Sequence, residues 1–367
     1  MNTSKKNSFA KLLSFLLLAV LLISIICFAV SGWQAEPQQN SGDSNGLTPD
    51  DTLNLESNGN GSNTDIPTSS DPIEEKYYNT VTGLEITKER YNTSPLAFLI
   101  DSRANYYGIS RADVCIEIPT EKDSRLLFYT TDYSSLWKIG ALTHTRDYIN
   151  VTANFLGVPI FFYQNDSITN YGNNIAPLIS LDLSLFKDSF YKESSLFYTN
   201  KNMISSVFRS ESEDAPQYLY KSAPFVFTSE DVTGTIKAID VIIPYSQDNV
   251  THLVYSEEEN AYLYKKNNTA CLDRLTGDEL YYKNVFILLA KSTTHESLEG
   301  AELVLDTAGG GKGYYMSNGK MIEFFWSVDE TGELKFASLS QEPLEVTRGN
   351  SYIAYYKSFD YEKITIS

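Results

Sequence analysis

Apolar and polar positions divide the chain into three regimes. From Leu12 to Val30 runs an uncharged stretch of nineteen residues, preceded by Lys5, Lys6 and Lys11. At about 1.5 Å per residue, a helix of that length covers roughly 28 Å, close to the hydrocarbon thickness of a bilayer. From Gln34 to Glu75 there is no lysine or arginine, and Ser, Asn, Gly, Pro and Asp dominate, as in "NSGDSNGLTPDD" and "ESNGNGSNTD". Such a segment buries too little apolar surface to offset its ordering entropy and is predicted to be disordered. As a flexible coil, its 42 residues span roughly 35 Å. After Lys76, short apolar runs alternate with turn residues, the pattern of a folded region.

In that region "SPLAFLI" (Ser94 to Ile100), "ADVCIEI" (Ala112 to Ile118), "SRLLFYTT" and "VPIFFYQ" (Val158 to Gln164) read as buried strands. Thr143 to Phe155 carries Tyr148, Ile149, Val151 and Phe155 at helical spacing, with Thr143 or Thr145 as N-cap, and "NMISSVFRS" reads as a short helix. Strands alternating with helices predict a mixed α/β layer fold here. Beyond Phe225, the runs "IKAIDVIIPY", "VTHLVYS", "AYLYKK", "NVFILLAK", "KMIEFFWSV" and "SYIAYYKS" follow one another with breaks such as Ser317-Asn318-Gly319 and Glu330-Thr331-Gly332. This is the pattern of antiparallel β-hairpins. The expected class is therefore α+β: residues 1–31 an anchor or signal, 32–76 an acidic linker, 77–220 a mixed α/β layered domain, and 221–367 an antiparallel β-rich domain.

The nineteen-residue run places the folded part outside the cytoplasm, with the flanking lysines inside. An uncleaved anchor is the first reading, because signal-peptide apolar cores are shorter, about 7 to 15 residues. Cleavage at Ala29-Val30-Ser31 is the alternative. Cys27 invites a third, lipidation, but Ile26 precedes it where a lipobox needs a small residue. Cys115 and Cys271 are the cysteines of the folded region. Export permits a disulfide, yet Cys115 sits inside a strand-like apolar run and two buried free thiols are the expectation.

Charge narrows the partners. Lys and Arg number 29 against 47 Asp and Glu, a net of −18. Without the three N-terminal lysines the balance is 26 against 47, or −21. A surface so acidic is repelled by nucleic acid, anionic lipid heads and wall phosphates, so nucleic-acid binding is set aside.

Motifs that would name a reaction are missing. "AGGGKGYY" (Ala308 to Tyr315) has the lysine of a phosphate loop but Gly313 where Ser or Thr is required, and reads as a glycine-rich hairpin or bulge. "DETGEL" (Asp329 to Leu334) lacks the alternating ligands of a calcium loop. His144, His252 and His295 are far apart in sequence and no cysteines are paired in spacing, so no zinc pattern exists. There is no Gly-x-Ser-x-Gly elbow. No cofactor is implied. The 26 tyrosines suit half-buried strands better than a glycan-binding face.

"KIGALTHTRDY" (Lys138 to Tyr148), with His144 two residues before Arg146, raises the question of a catalytic loop. Together with "PLAFLID" (Pro95 to Asp101), "GISRADVCIEIPTE" (Gly108 to Glu121) and Arg125, its "IGALTHTR" falls in the order of the N-terminal blocks of the YerB-like family of exported bacterial lipoproteins, which the chain resembles. The second half resembles that family at Tyr262, Asp273, Thr276-Gly277, Leu280, Asn284-Val285, Gly311-x-Gly313, Asn318-Gly319, Trp326, Pro343 and Gly349. The resemblance covers about residues 94 to 357. Departures gather at polar positions: Lys122-Asp123 replaces a Gly-Gly, Ser102 an asparagine, Thr143 the first of two arginines, and His144 a serine. "FFYQND" (Phe161 to Asp166) stands where relatives carry His-x-Gly-Gly-Ser, and "ESSLFYT" (Glu193 to Thr199) where they carry Pro-His-Asn. His144 thus reads as a local substitution in a strand-to-helix loop rather than a general base.

The charged positions of the resemblance that survive, Asp101, Asp113, Glu117, Glu121, Arg125 and Arg146, with His144 beside them, lie in or near strand ends and the loop before a helix, where an α/β layer forms its ligand crevice, and are the expected ligand site. Arg125 and Arg146 are expected to approach one another at one edge of the N-terminal sheet, as a site or as an ion-pair network holding the loop. Two functions from different classes follow. The first is a membrane-tethered binding or accessory protein of the cell envelope, acting without turnover on a wall-derived or protein ligand. The alternative is an envelope hydrolase or transferase with Glu117 or Glu121 as acid or base and an arginine stabilising an anion.

Overall fold

The computed structural model describes residues 75–367 except 104, 159, 163–177, 181–190, 194–195, 211–222, 233 and 298–299. The expected anchor or signal, Cys27, nearly all of the expected linker and the expected 220/221 boundary lie outside the described residues. Among the described residues, no helix is long and apolar enough to cross a membrane.

Eleven strands build the frame: β1 Leu96–Asp101, β2 Val114–Pro119, β3 Ser124–Thr130, β4 Ile139–Leu142, β5 Asp240–Ser246, β6 Asn249–Ser256, β7 Ala261–Lys266, β8 Asn284–Ala290, β9 Gly310–Ser317, β10 Lys320–Val328 and β11 Ser351–Lys357. The described α-helices are short: α1 Lys88–Tyr91, α2 Asp147–Ala153 and α3 Lys201–Ser210.

A large sheet runs in the order β10-β9-β8-β11-β2-β3-β1-β4, with Ile236–Lys237 outside β10 and Leu196–Thr199 outside β4. Its centre is buried on both faces: every residue of β8 and β2 is buried, the property that makes such strands read as continuous apolar runs. Neighbouring strands come from distant parts of the chain. β11 lies parallel to β8 on one side and to β2 on the other, with Tyr352 opposite both Val285 and Cys115. A second sheet, β7-β6-β5 with Thr365–Ile366 along β5, alternates buried and part-exposed residues. Its inner residues Val241, Ile243, Leu253, Tyr262 and Tyr264 pack on Cys115, Phe128, Val285, Ile287 and Tyr352 of the large sheet. The opposite face of the large sheet packs Leu99, Ile116, Leu127, Phe286, Trp326 and Tyr355 against Tyr148 and Ile149 of α2, Phe155 and Phe336.

This architecture corrects the mixed α/β expectation for the N-terminal part and the purely antiparallel expectation for the rest. About 51% of the described residues are strand. Both predicted helices form, over Asp147–Ala153 and Lys201–Ser210, but neither is a crossover between parallel neighbours. β2 and β3 are a tight antiparallel hairpin, and β3 pairs antiparallel with β1. The layer that covers the large sheet on the Glu117 side is the second sheet, not a row of helices.

Turn chemistry is as expected. Asn318 and Gly319 both take positive φ, 53° and 68°, the pair required by the two-residue hairpin between β9 and β10. "AGGGKGYY" opens β9 and contains no phosphate loop. A Cβ on Gly313 would lie 2.6 Å from the Phe324 ring, so glycine there permits close side-chain packing.

Candidate functional site

Along β2, side chains alternate, so Val114, Ile116 and Ile118 face one cluster while Cys115 and Glu117 face the seam between the two sheets. Glu117 is 0% exposed. A carboxylate in that position is tolerable only if it is paired and hydrogen-bonded, and five side chains converge on it. Oε1 accepts from Ser124 Oγ and Lys266 Nζ, while Oε2 accepts from Thr251 Oγ1 at 2.8 Å, Tyr264 OH at 3.1 Å and Tyr352 OH at 2.5 Å. β3 supplies Ser124, β6 Thr251, β11 Tyr352, and β7 presents Tyr264 and Lys266 two residues apart on one face. Burial first, and the Glu117 charge second, push the Tyr264 and Tyr352 phenols well above their ordinary value, so both stay protonated donors.

From Lys266 the network continues outward. Its ammonium donates to Asn249 Oδ1 at 2.6 Å, Asn249 Nδ2 donates to Ser124 Oγ at 2.9 Å, and Ser102 Oγ, which donates to Ser124 O at 2.8 Å, lies 2.9 Å from Ser124 Oγ. Ser102, Asn249, Lys266 and Tyr106 line a cleft of about 340 Å³, with Arg103, Asp248 and Arg274 also among its lining residues. One wall is pinned by Asp273, which is fully buried. Its carboxylate accepts from Gly108 N at 3.0 Å, Ser110 N at 2.9 Å, Ser110 Oγ at 2.7 Å and Leu275 N at 2.9 Å. Arg274 N then donates to Tyr106 O at 2.8 Å.

Cys271 also lines this cleft, and Cys115 lies behind it in the core. Both are buried free thiols. Burial pushes Cys271 up to about 11 and Cys115 up to about 12, so thiolate is a trace species at pH 8. Iodoacetamide at pH 8 is therefore expected to alkylate neither thiol at the rate of a free cysteine until denaturant is added. Mass spectrometry of timed aliquots checks this, and rapid labelling of the native protein would contradict it.

The remaining candidates separate into other networks. Asp113 is buried with Arg90 Nη2 at 2.5 Å and accepts from Thr131 N at 3.0 Å, tying α1 to the end of β3. Asp101 faces Arg125 across β1 and β3, but its ion-pair partner is Arg103 at 3.6 Å. Because Arg125 lies opposite Ile118 and Glu117 lies opposite Leu126, Arg125 and Glu117 project from opposite faces of the sheet. Glu121 pairs with Arg146 Nε at 3.5 Å, in the turn after β2. His144 is half-buried in the loop before α2. Arg125 Nη1 donates to Ser124 O at 3.1 Å, while Arg146 Nη1 donates to Thr145 O at 3.1 Å beside its pairing with Glu121. Of "FFYQND" only Phe161 and Phe162 are described. No group of three or more His, Cys, Asp or Glu suited to a metal occurs among the described residues.

Sequence reading missed Lys266, Asn249, Thr251, Tyr264 and Tyr352. A signal did exist: in β6 the polar Asn249 and Thr251 share the buried face with Leu253, while Val250 and His252 point outward. That reversal of the usual polarity marks a polar seam.

Two packed sheets with a buried carboxylate between them and a cleft at its edge define the chain as a β-rich protein. Residues 241–353 match the family described as "Protein of unknown function (DUF3048) C-terminal domain". The chain is 23% identical over 263 residues to a Bacillus subtilis (strain 168) protein with the description "Putative lipoprotein YerB", covering 67% of this chain and 76% of that one. The crystal structure of YerB from Bacillus subtilis superposes with a TM-score of 0.66 at 19% identity, covering 80% of this chain and all of that one. The resemblance to YerB-like proteins holds at the level of sequence and fold.

Proposed function

We propose that this chain is a membrane-tethered, extracytoplasmic binding or accessory protein of the cell envelope that acts without turnover. The observation that carries the reading is the saturation of Glu117. Five donors occupy its two oxygens, and an ionised carboxylate has about four lone-pair positions, so none is left to take a substrate proton. Glu121, the other candidate acid or base, is held by Arg146 in a separate network. The polar groups that do meet solvent line the cleft, where they suit recognition. Its exported position is supported by the apolar run Leu12 to Val30 and by the lipoprotein name of the Bacillus relative.

Full-length protein in detergent, immobilised and exposed to solubilised envelope from its own cells, is expected to retain a specific protein or wall glycan. Recovery of nothing above a control column would sink the binding reading. Measurable turnover of wall fragments that disappears in Glu117→Gln would replace it with the hydrolase reading.

A further inference from the structure

The cleft beside Lys266 is charged against the trend of the molecule. On a chain of net charge −18, its lining contains three cations, Arg103, Lys266 and Arg274, and a single acid, Asp248. The arrangement of counter-ions matters more than the count. Lys266 is paired with Glu117, but Glu117 is 0% exposed and lies behind the ammonium, outside the cleft lining. Arg103 is paired with Asp123 at 3.1 Å, again outside the lining. Arg274 is exposed and has no carboxylate partner within 4.0 Å among the described residues. A group entering the cleft therefore meets the cationic ends first and their carboxylates second. The Lys266 ammonium is also held in place by Asn249 and Glu117, so its position is fixed before any ligand arrives.

We infer that this cleft receives an oxyanion, a carboxylate or phosphate carried on a polar ligand, with Arg274 as its exposed anchoring cation and Lys266 with Asn249 as its floor. The inference rests on the binding-protein reading and adds the chemical class of the ligand. Arg274 supplies the fork geometry that suits either oxyanion. Tyr106 and Ser102 give the floor neutral polar character beside the charge. Asp248, at the hairpin end between β5 and β6, opposes an anion and serves as an internal control.

The test uses full-length protein in neutral detergent and isothermal titration with three probes: inorganic phosphate, N-acetylmuramate with its free carboxylate, and uncharged N-acetylglucosamine. Saturable, salt-sensitive binding of phosphate or N-acetylmuramate without binding of N-acetylglucosamine is expected, and which anion binds tells phosphate from carboxylate ligands. Arg274→Gln, at an exposed position, is expected to weaken that binding about tenfold with an unchanged melting temperature, whereas Asp248→Asn leaves it equal or tighter. Failure of both anions to bind, or wild-type affinity in Arg274→Gln, would overturn the inference. The two readings fail separately. Capture of an envelope partner with no anion binding leaves the binding role and removes the anion cleft. Anion binding with no captured partner does the reverse.

Discussion

Replacement of Glu117 by leucine is expected to lower the unfolding free energy by about 3–5 kcal/mol, measured as a fall in the urea midpoint at unchanged slope. The cost comes from what remains. Lys266, whose side chain is only 12% exposed, keeps its charge and loses its counter-ion. The hydroxyls of the buried Thr251, Tyr264 and Tyr352 lose their shared acceptor. Glu117→Gln keeps the shape but offers an N–H to groups that themselves donate, and a loss of about 1–3 kcal/mol is expected. The decisive comparison is the double variant Glu117→Leu, Lys266→Met. Removing both charges should restore a large part of the loss, because a buried pair contributes little net stability although breaking it costs much. If the single and double variants unfold at the same denaturant concentration, the ion pair is not what holds the seam.

Glu117 shows how far the sequence reached. It was singled out as a charged position within an apolar strand, and its burial on the seam face follows from period-two alternation with Cys115. Its partners were not legible, since Thr251, Tyr264, Lys266 and Tyr352 lie 134, 147, 149 and 235 residues further along the chain. No local pattern predicts which distant strands meet. The fold class failed for a related reason. The helices at Asp147–Ala153 and Lys201–Ser210 are real, and alternation of strands with helices was read as layering. What decides the architecture is the insertion of β11 between β8 and β2, a pairing between the two ends of the folded region. The run "SYIAYYK" does carry the mark of a central strand, with six successive buried residues, yet burial on both faces does not name the neighbours. Turns were read more reliably, because Asn318-Gly319 and Gly332 need only local geometry, a positive φ, to be recognised.

Asp273 combines the two kinds of information, and its replacement is the second large effect. The resemblance flagged it without a role. Fully buried, it accepts hydrogen bonds from the backbone N–H groups of Gly108, Ser110 and Leu275 and from the Ser110 hydroxyl. It therefore joins a loop of the second sheet to the short 3-10 turn Ile109–Arg111 before β2, across 163 to 165 residues of sequence. Asp273→Ala strands these donors, and because each unmet buried donor costs about 1–3 kcal/mol, with water recovering part, a net loss of about 3 kcal/mol is expected. Asp273→Asn retains one acceptor oxygen and should lose less. Hydrogen exchange locates the effect: the amides of Gly108 and Ser110 should exchange faster in Asp273→Ala, while those of β8, in the centre of the large sheet, change only by the global loss of stability. The same wall carries Arg274 and Tyr106 into the cleft, so its loosening should also weaken anion binding at temperatures where the protein is still folded. Unchanged exchange at Gly108 and Ser110 would mean that Asp273 does not hold that wall, and the rigidity ascribed to the cleft would fall with it.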